Sequence, residues 1–437
     1  MRLHTQTRGG RGRRGPGRRR GLAACTTALA LMVAACGGGG NSAKTATPDQ
    51  PTVLRVIMTD DWVTAPFLSA VQDFEHAHPN VRVDVDKAPI SHMVDTVTAA
   101  IKSGVAPDVV QAHAFSAAAQ GLAQPVDDLW ASGKPLKTSD FLPGAIEDVT
   151  WGGHLYGVPL DTNALFLLYD ADQFTAAKVA ASNTPFTFAT FENAARALSS
   201  PDGSRRAMAI PTSTWWTYGW IRANGGEVIK VDADGKVRLT LDDPHVVAAL
   251  DYLSRLVKER LAFPPSAADS HPDDALSLFR SGNAATLASG SWDLTTVHKD
   301  SPGAKYQATL LPAGTAGGGS VMGGSSMFVP SGSHNRKLAF QFMALLVSDK
   351  YALRLAKEEG RLPVRPRVYQ DPYFKTPDLQ AVIDQLPTAG AFKLSAFPEA
   401  HDVFANAIDE ILRGGKDAAT VMADAQTRAQ ALIPAAP

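Results

Sequence analysis

The sequence predicts an α/β protein of two domains, and three observations carry the prediction. Its 437 residues, 45% of them hydrophobic, can bury a substantial core and are too many for one ordinary domain. From Leu54 onward, short β-rich runs alternate with amphipathic helical stretches. A glycine-rich crossing, LPAGTAGGGSVMGGSSMFVP, then leads into a further strand near the middle of the second half.

LRVIM reads as a buried strand, TAPFLSAVQDFEHAH as a helix with Phe67, Leu68, Val71 and Phe74 on one face, and VRVDVD as a strand with period-2 alternation. SHMVDTVTAAIKSG is a second helix, with Ser91 placed to cap it and Gly104 to end it, and APDVVQA is a third strand. Strand, helix, strand, helix, strand is the pattern of a parallel sheet with right-handed crossovers. YGVPLDTNALFLLYD contains a long apolar strand, and FTFATFENAARALSS opens a helix through Thr187. WWTYGWIRANGG is aromatic and ends in glycines. LDDPHVVAALDYLSRLVKERL is an amphipathic helix with Pro244 in its first turn. PDDALSLFRSG reads as a short helix and AATLASG as a strand, while NRKLAFQFMALLVSDKYALRLAKEEG and the tail from Ala400 to Ile433 are largely helical. No repeat of fixed period occurs.

The N-terminus has its own logic. MRLHTQTRGGRGRRGPGRRR carries eight arginines and no acid, and LAACTTALALMVAA is an apolar run, so residues 1–35 read as a signal peptide. A membrane span needs about twenty apolar residues, and the polar, flexible GGGGNSAKTATPDQPT follows instead. The quartet Val33, Ala34, Ala35, Cys36 resembles a bacterial lipobox, which implies that Cys36 is lipidated and becomes the mature N-terminus, with residues 36–52 as a flexible tether. Arg19 and Arg20 before Gly21 and Leu22 faintly resemble a twin-arginine signal, so the export route stays open. Cys25 leaves with the leader, which removes disulfide and thiol chemistry from the mature chain. Loss of the leader moves the formal net charge from −1 to −9. An acidic mature chain argues against nucleic-acid binding and against a cationic membrane patch.

Enzyme signatures are sparse. The GxGxxG spacing of Gly10, Gly12 and Gly15 falls in the arginine-rich leader with no strand before it. HExxH, paired CxxC, GxSxG and GxxxxGK do not occur. His76 and His78 form a close pair that reads as an exposed helix face, not a metal site, and no cofactor or metal is expected. Neighbouring acids such as Asp60 with Asp61 and Asp273 with Asp274 suit helix starts.

Ligands of parallel α/β sheets meet the loops at the carboxyl ends of strands. Asp60, Asp61 and Trp62 follow the first strand, His113 and Phe115 the third; Asp161, Thr162 and Asn163 lie at a crossing; Trp292 follows AATLASGS; Ser325 and Ser326 adjoin a glycine pair. Indole faces together with carboxylates and hydroxyls suit a sugar, which has an apolar ring face and a rim of hydroxyls. Each residue also has a plain structural reading. Trp62 can shield a loop, His113 can be a loop hydrogen-bonder, and at least one of Trp215, Trp216 and Trp220 is expected in the core. Trp130 and Trp151 are assigned to packing.

Taken together, SGVAPDVVQA with LAQPVDDL, YGVPLDTNALFLLYDADQF, FTFATFENAARAL, ANGGEVI, LFRSGNAATLASGSWDL, GGSSMFVPSGSHNRKLAFQFMALLVS and GRLPVRPRVY resemble the family 1 extracellular solute-binding proteins of ABC importers, the group that includes maltose-binding protein. The pieces run in the family's order over Leu54 to Ile433. The resemblance implies a two-lobed periplasmic-binding-protein-like fold of type II: two α/β domains joined by a hinge, with the ligand cleft between them. It implies lobe 1 at 53–160 and 318–355, lobe 2 at 161–312 and 356–437, and a hinge crossing at 313–317, whose glycines suit a hinge that must absorb dihedral change. It implies ligand contacts at Asp61, Trp62, His113, Asp161, Trp215, Trp216, Tyr218, Trp292, Ser325 and Arg365. In that scheme Trp216 and Trp292 stack on sugar rings, Asp61 and Asp161 accept hydroxyl hydrogen bonds, and Arg365 bridges hydroxyls or an acidic group. The expected partners are a sugar, ABC permease subunits and a membrane reached through lipid on Cys36, with the protein a monomer outside the cell and no bond made or broken. The rivals are a binding protein for a polyol phosphate or a peptide, and a secreted glycosidase for which Asp61 and Asp161 are the first pair to test.

Overall fold

The computed structural model describes residues 51–180, 185–211, 213–266, 273–301, 305–315 and 317–434. The expected leader and Cys36 lie outside the described residues, and the tether expected to reach residue 52 meets the first strand already at Thr52.

In chain order the strands are β1 (Thr52–Met58), β2 (Val81–Lys87), β3 (Val109–Gln111), the hairpin β4 (Thr150–Trp151) and β5 (His154–Leu155), β6 (Gly157–Ala164) and β7 (Phe166–Asp170). They continue with β8 (Arg206–Ala209), the hairpin β9 (Ile229–Val231) and β10 (Val237–Leu239), β11 (Ala262–Phe263), β12 (Ala284–Ser289), β13 (Tyr306–Thr309), β14 (Ser320–Phe328) and β15 (Ala389–Ala391). The first sheet has the order β15-β14-β3-β1-β2, with β6 also paired to β14; the second has the order β11-β8-β12-β7-β13. The β1-β2, β1-β3, β8-β11 and β8-β12 pairs are parallel, as strand-helix-strand units require. Both sheets are nevertheless mixed. β14 runs antiparallel to β3 and β6, and β7 antiparallel to β12 and β13, because these strands are entered by direct crossings and not through a packed helix.

The helices follow their apolar spacing. In Ala65–Ala77, with Pro66 in the first turn, Phe67, Ala70, Val71 and Phe74 are buried, and Phe67 and Phe74 meet the edge of Phe342 at 6.2 and 5.2 Å between ring centres. Leu68, expected on that face, is 44% exposed because it falls a quarter-turn off the 67-71-74 line. Phe188–Leu198 starts at Thr187 with a reciprocal cap from Thr190, and Pro244–Lys258 starts at Asp243, whose carboxylate accepts from the His245 amide.

The end of the chain corrects the expected lobe boundary. Residues after 355 do not all join the second half: Leu362 bridges Thr162, β15 pairs with β14, and Val364, Val368, Tyr369 and Phe374 share the core of Phe340 and Tyr351. The helix Pro377–Gln385 already packs on β13 of the second sheet, with Gln385 Oε1 accepting from the Leu311 amide at 2.8 Å, and from Phe392 onward the chain joins the other core, where Phe404, Ile408, Ile411 and Met422 meet Leu250 and Leu253. The stretch expected as a hinge, 313–317, is held to the second half over its first residues: the amides of Ala313, Gly314 and Thr315 donate to Phe186 O, Ala223 O and Asn224 Oδ1 at 2.6, 2.8 and 3.1 Å.

Candidate ligand-binding cleft

A cavity of about 670 Å³ is lined from both halves, by β6 and β14 residues, by the first turns of the helix Ser291–Asp300 after β12, and by the loop that leaves the helix Asp349–Glu359. Its placement follows from two local features. β6 and β14 pair antiparallel with Asp161 opposite Ser325, and the ladder slips between Ser325 and Ser326. Gly324 takes φ +105° there, and a Cβ would sit 2.4 Å from Asp161 O, so only glycine lets the strands approach this closely.

The wall from the first half is a chain of charge and hydrogen bonds. Asp161 Oδ1 accepts from the Ser325 amide and hydroxyl at 2.8 Å each, and its Oδ2 lies 3.7 Å from Arg361 Nη1. Arg361 Nη2 donates to the main-chain O and Oδ2 of Asp61, both at 2.8 Å, and the guanidinium lies 3.9 Å over the Trp62 ring. Behind them the Thr59 hydroxyl donates to Asp61 at 2.5 Å and its amide to Gln111 Oε1 at 3.0 Å, while Gln111 Nε2 donates to Ser325 at 3.3 Å. Burial raises the Asp161 pKa above the usual 3.8, against the pull of Arg361 and Ser325. In Asp61 the hydrogen bond from Thr59 and the charge of Arg361 outweigh burial, and its pKa is lowered. His113 Nδ1 lies 2.6 Å from Asp148 Oδ1; burial opposes its charge, but Asp148, with help from Asp161, leaves its pKa raised above 6.5.

The second half supplies aromatic surface. Trp215 and Trp216 open the helix Thr214–Ala223, which Ser213 caps by accepting from the Trp215 amide at 3.2 Å. Trp292 stands in the first turn of Ser291–Asp300 and is 41% exposed. The three indoles cluster, with centroids 5.0 Å apart for Trp215–Trp216, 5.9 Å for Trp215–Trp292 and 6.2 Å for Trp216–Trp292. Trp215 Nε1 is anchored on Met322 O at 3.2 Å, while Trp216 Nε1 is buried with no acceptor among the described residues. Asn163 on β6 donates to Ser291 Oγ at 2.8 Å and links the two walls.

The expected residues therefore separate. Asp61, Asp161 and Ser325 join one network, and Trp215, Trp216 and Trp292 one cluster; His113 stands beside Asp148, within electrostatic reach of Asp161. Three residues do not present their side chains to this cleft. Trp62 is 2% exposed beneath Arg361, which makes it a support. Tyr218 is fully buried, its hydroxyl donating to Glu227 at 2.6 Å and its ring 4.7 Å from Phe392, because helical spacing turns it inward with Ile221. Arg365 is 4% exposed and bonds Asp140 in the first half. Trp220, Trp130 and Trp151 are buried, in keeping with a packing role. The sequence reading missed Arg361, Gln111 and Ser291, while Asn163 stood among its strand-end residues. Gly360, which ends its helix with φ +71°, was the readable signal that the next residue leaves the helix at a loop.

Among the described residues no group of three or more His, Cys, Asp or Glu could hold a metal, and no helix is long and apolar enough to cross a membrane. The model for bacterial extracellular solute-binding proteins matches residues 60–353. A maltotriose-binding protein of Pyrococcus abyssi is 23% identical over 366 residues, covering 80% of this chain and 75% of its own length. The sn-glycerol-3-phosphate-binding periplasmic protein UgpB of Brucella melitensis is 26% identical over 382 residues, covering 81% and 86%. The solved structure of the sugar-binding protein MalE of Xanthomonas citri superimposes with a TM-score of 0.76 over 87% of this chain and 97% of that one, at 20% identity, so the two share the two-lobed type II binding-protein fold. With a match over well more than half its length, this chain belongs to the bacterial extracellular solute-binding protein family.

Proposed function

We propose that the protein is a carbohydrate receptor, capturing a sugar between its two lobes outside the cell and handing it unchanged to an ABC permease while lipid on Cys36 tethers it to the membrane. The observation that carries this reading is that Trp292, packed against Trp215 and Trp216, lines the same cavity as Asp161 and Arg361, whose network includes Ser325. Indoles stack on the apolar face of a sugar ring, and carboxylate, amide and hydroxyl groups serve its hydroxyl rim. The two walls come from opposite halves, so a ligand touching both favours the closed arrangement over the open one. Leu165, between β6 and β7, and the positive-φ glycines Gly317 and Gly318 are the short segments on which such closure would turn.

The polyol-phosphate reading has less support. Arg361 is already engaged by Asp61 and Asp161, and Glu358 by Arg354, which leaves Lys299 as the cavity's one cation without an ion pair among the described residues, beside Glu359, where a phosphate calls for several. The glycosidase reading fares no better, since one guanidinium bridges both Asp61 and Asp161 and neither carboxylate stands free as acid or nucleophile. Titration calorimetry with a panel of oligosaccharides and with glycerol 3-phosphate decides among these. Saturable binding of an oligosaccharide without turnover is expected; binding of the phosphate alone, or release of shorter sugars, would overturn the proposal.

A further inference from the structure

A second cavity, of about 760 Å³, lies in the first half and shares no lining residue with the cleft. It opens between the end of the helix Ala65–Ala77, the loop 133–140 and the end of the helix Arg336–Leu346. Arg365 lines it. This guanidinium is almost fully buried and poorly satisfied. Nη2 is 3.3 Å from Asp140, Nη1 is 3.4 Å from Val347 O and 3.6 Å from Asp349, and Nε has no acceptor among the described residues. Asp349 is taken at 2.8 Å by Arg367 Nε. Five donors on a charge removed from water call for good acceptors, and contacts at or beyond 3.3 Å are poor ones. Burial and the neighbouring Arg367 both lower the proton affinity of Arg365, in keeping with an under-compensated charge.

The rest of the lining points the same way. Asp73 is already neutralised by Lys350 Nζ at 2.6 Å and holds the Tyr351 hydroxyl at 2.5 Å. Lys137 is exposed and has no ion pair among the described residues, and Arg367 adds a further cation. Phe74, Leu136 and Leu345 make the walls between these charges apolar. A chamber of this volume with apolar walls and a few converging polar groups has the dimensions of a small-molecule site. A guanidinium matches a carboxylate with two parallel hydrogen bonds.

We propose that this cavity is a second ligand site, independent of the cleft, that takes an organic monocarboxylate with a flat apolar body, its carboxylate on Arg365 and its body against Phe74, Leu136 and Leu345. Titration calorimetry with naphthoate, and with naphthalenemethanol as its uncharged counterpart, tests this. The protein should bind naphthoate saturably and the alcohol at least about tenfold more weakly. Ala77→Trp, at an exposed helix position on the rim, should abolish naphthoate binding and leave oligosaccharide binding unchanged, whereas Trp292→Ala should retain naphthoate. Arg365→Gln should weaken naphthoate at least about tenfold; if that variant does not fold, the alcohol and Ala77→Trp decide. No saturable binding up to about 10 mM, equal affinity for the alcohol, retention in Ala77→Trp, or loss in Trp292→Ala would each overturn the proposal.

Discussion

The two walls of the cleft are built on opposite principles. On the first half most polar groups are tied to one another: Thr59, Asp61, Arg361, Asp161, Ser325 and Gln111 form one connected set resting on the buried Trp62, and only Arg361 Nε and the Thr162 hydroxyl of that wall lack a partner among the described residues. On the second half Trp292 is 41% exposed, and Trp216 keeps a buried indole N–H without an acceptor among those residues. One wall has most of its bonds made before a ligand arrives, and the other holds apolar surface and a donor in reserve. A network of this kind fixes orientation at little cost in ordering, whereas exposed indoles gain their burial only when a ligand covers them.

Trp62→Ala is expected to have the largest effect, and on stability: removal of a 2%-exposed indole should cost about 3–5 kcal/mol in urea unfolding. Trp292→Ala should do the reverse, leaving the unfolding midpoint nearly unchanged while costing about 2–4 kcal/mol of oligosaccharide affinity by calorimetry. If both tryptophans changed stability alike, the contrast between the walls would be lost. Arg361→Met should have a smaller effect than either, releasing Asp61 and Asp161 from their shared cation and weakening affinity by about 1–2 kcal/mol. The smallest effect concerns pH. Because the folded pKa of His113 is raised above 6.5, the stability it contributes is fully present below that value and fades as pH rises through the higher folded one. Urea midpoints of the protein and of His113→Gln should therefore differ most in mild acid and converge in mild alkali; a constant difference would refute the Asp148 pairing.

Legibility in the sequence followed the range of the interaction. The strands LRVIM and VRVDVD, the helix through Thr187 and the helix at Pro244 were readable because alternation, 3.6-residue spacing and caps act within a few positions. Arg361 and Arg365 show where that range ends. They lie in one short stretch, GRLPVR, and the family resemblance pointed to Arg365 as the ligand contact. The structure instead brings Arg361 to Asp161, 200 positions earlier in the chain, and seats Arg365 against Asp140. Tyr218 differs in kind: its inward face was implicit in the helical period, but the buried partner Glu227 that fixes it was not.

By itself the sequence determined the alternation of strand and helix, the apolar faces, the acidic character of the chain beyond its arginine-rich first 35 residues and the family to which it belongs. Those properties are sums over neighbours in the chain, or patterns that recur in order along it. The tertiary structure alone decided that the segment after residue 355 is shared between two cores, that Asp161 and Asp61 lean on one guanidinium, and that three of the tryptophans converge. Those contacts join residues tens to hundreds of positions apart, and their energies arise only when the folded chain brings them within a few ångströms of one another.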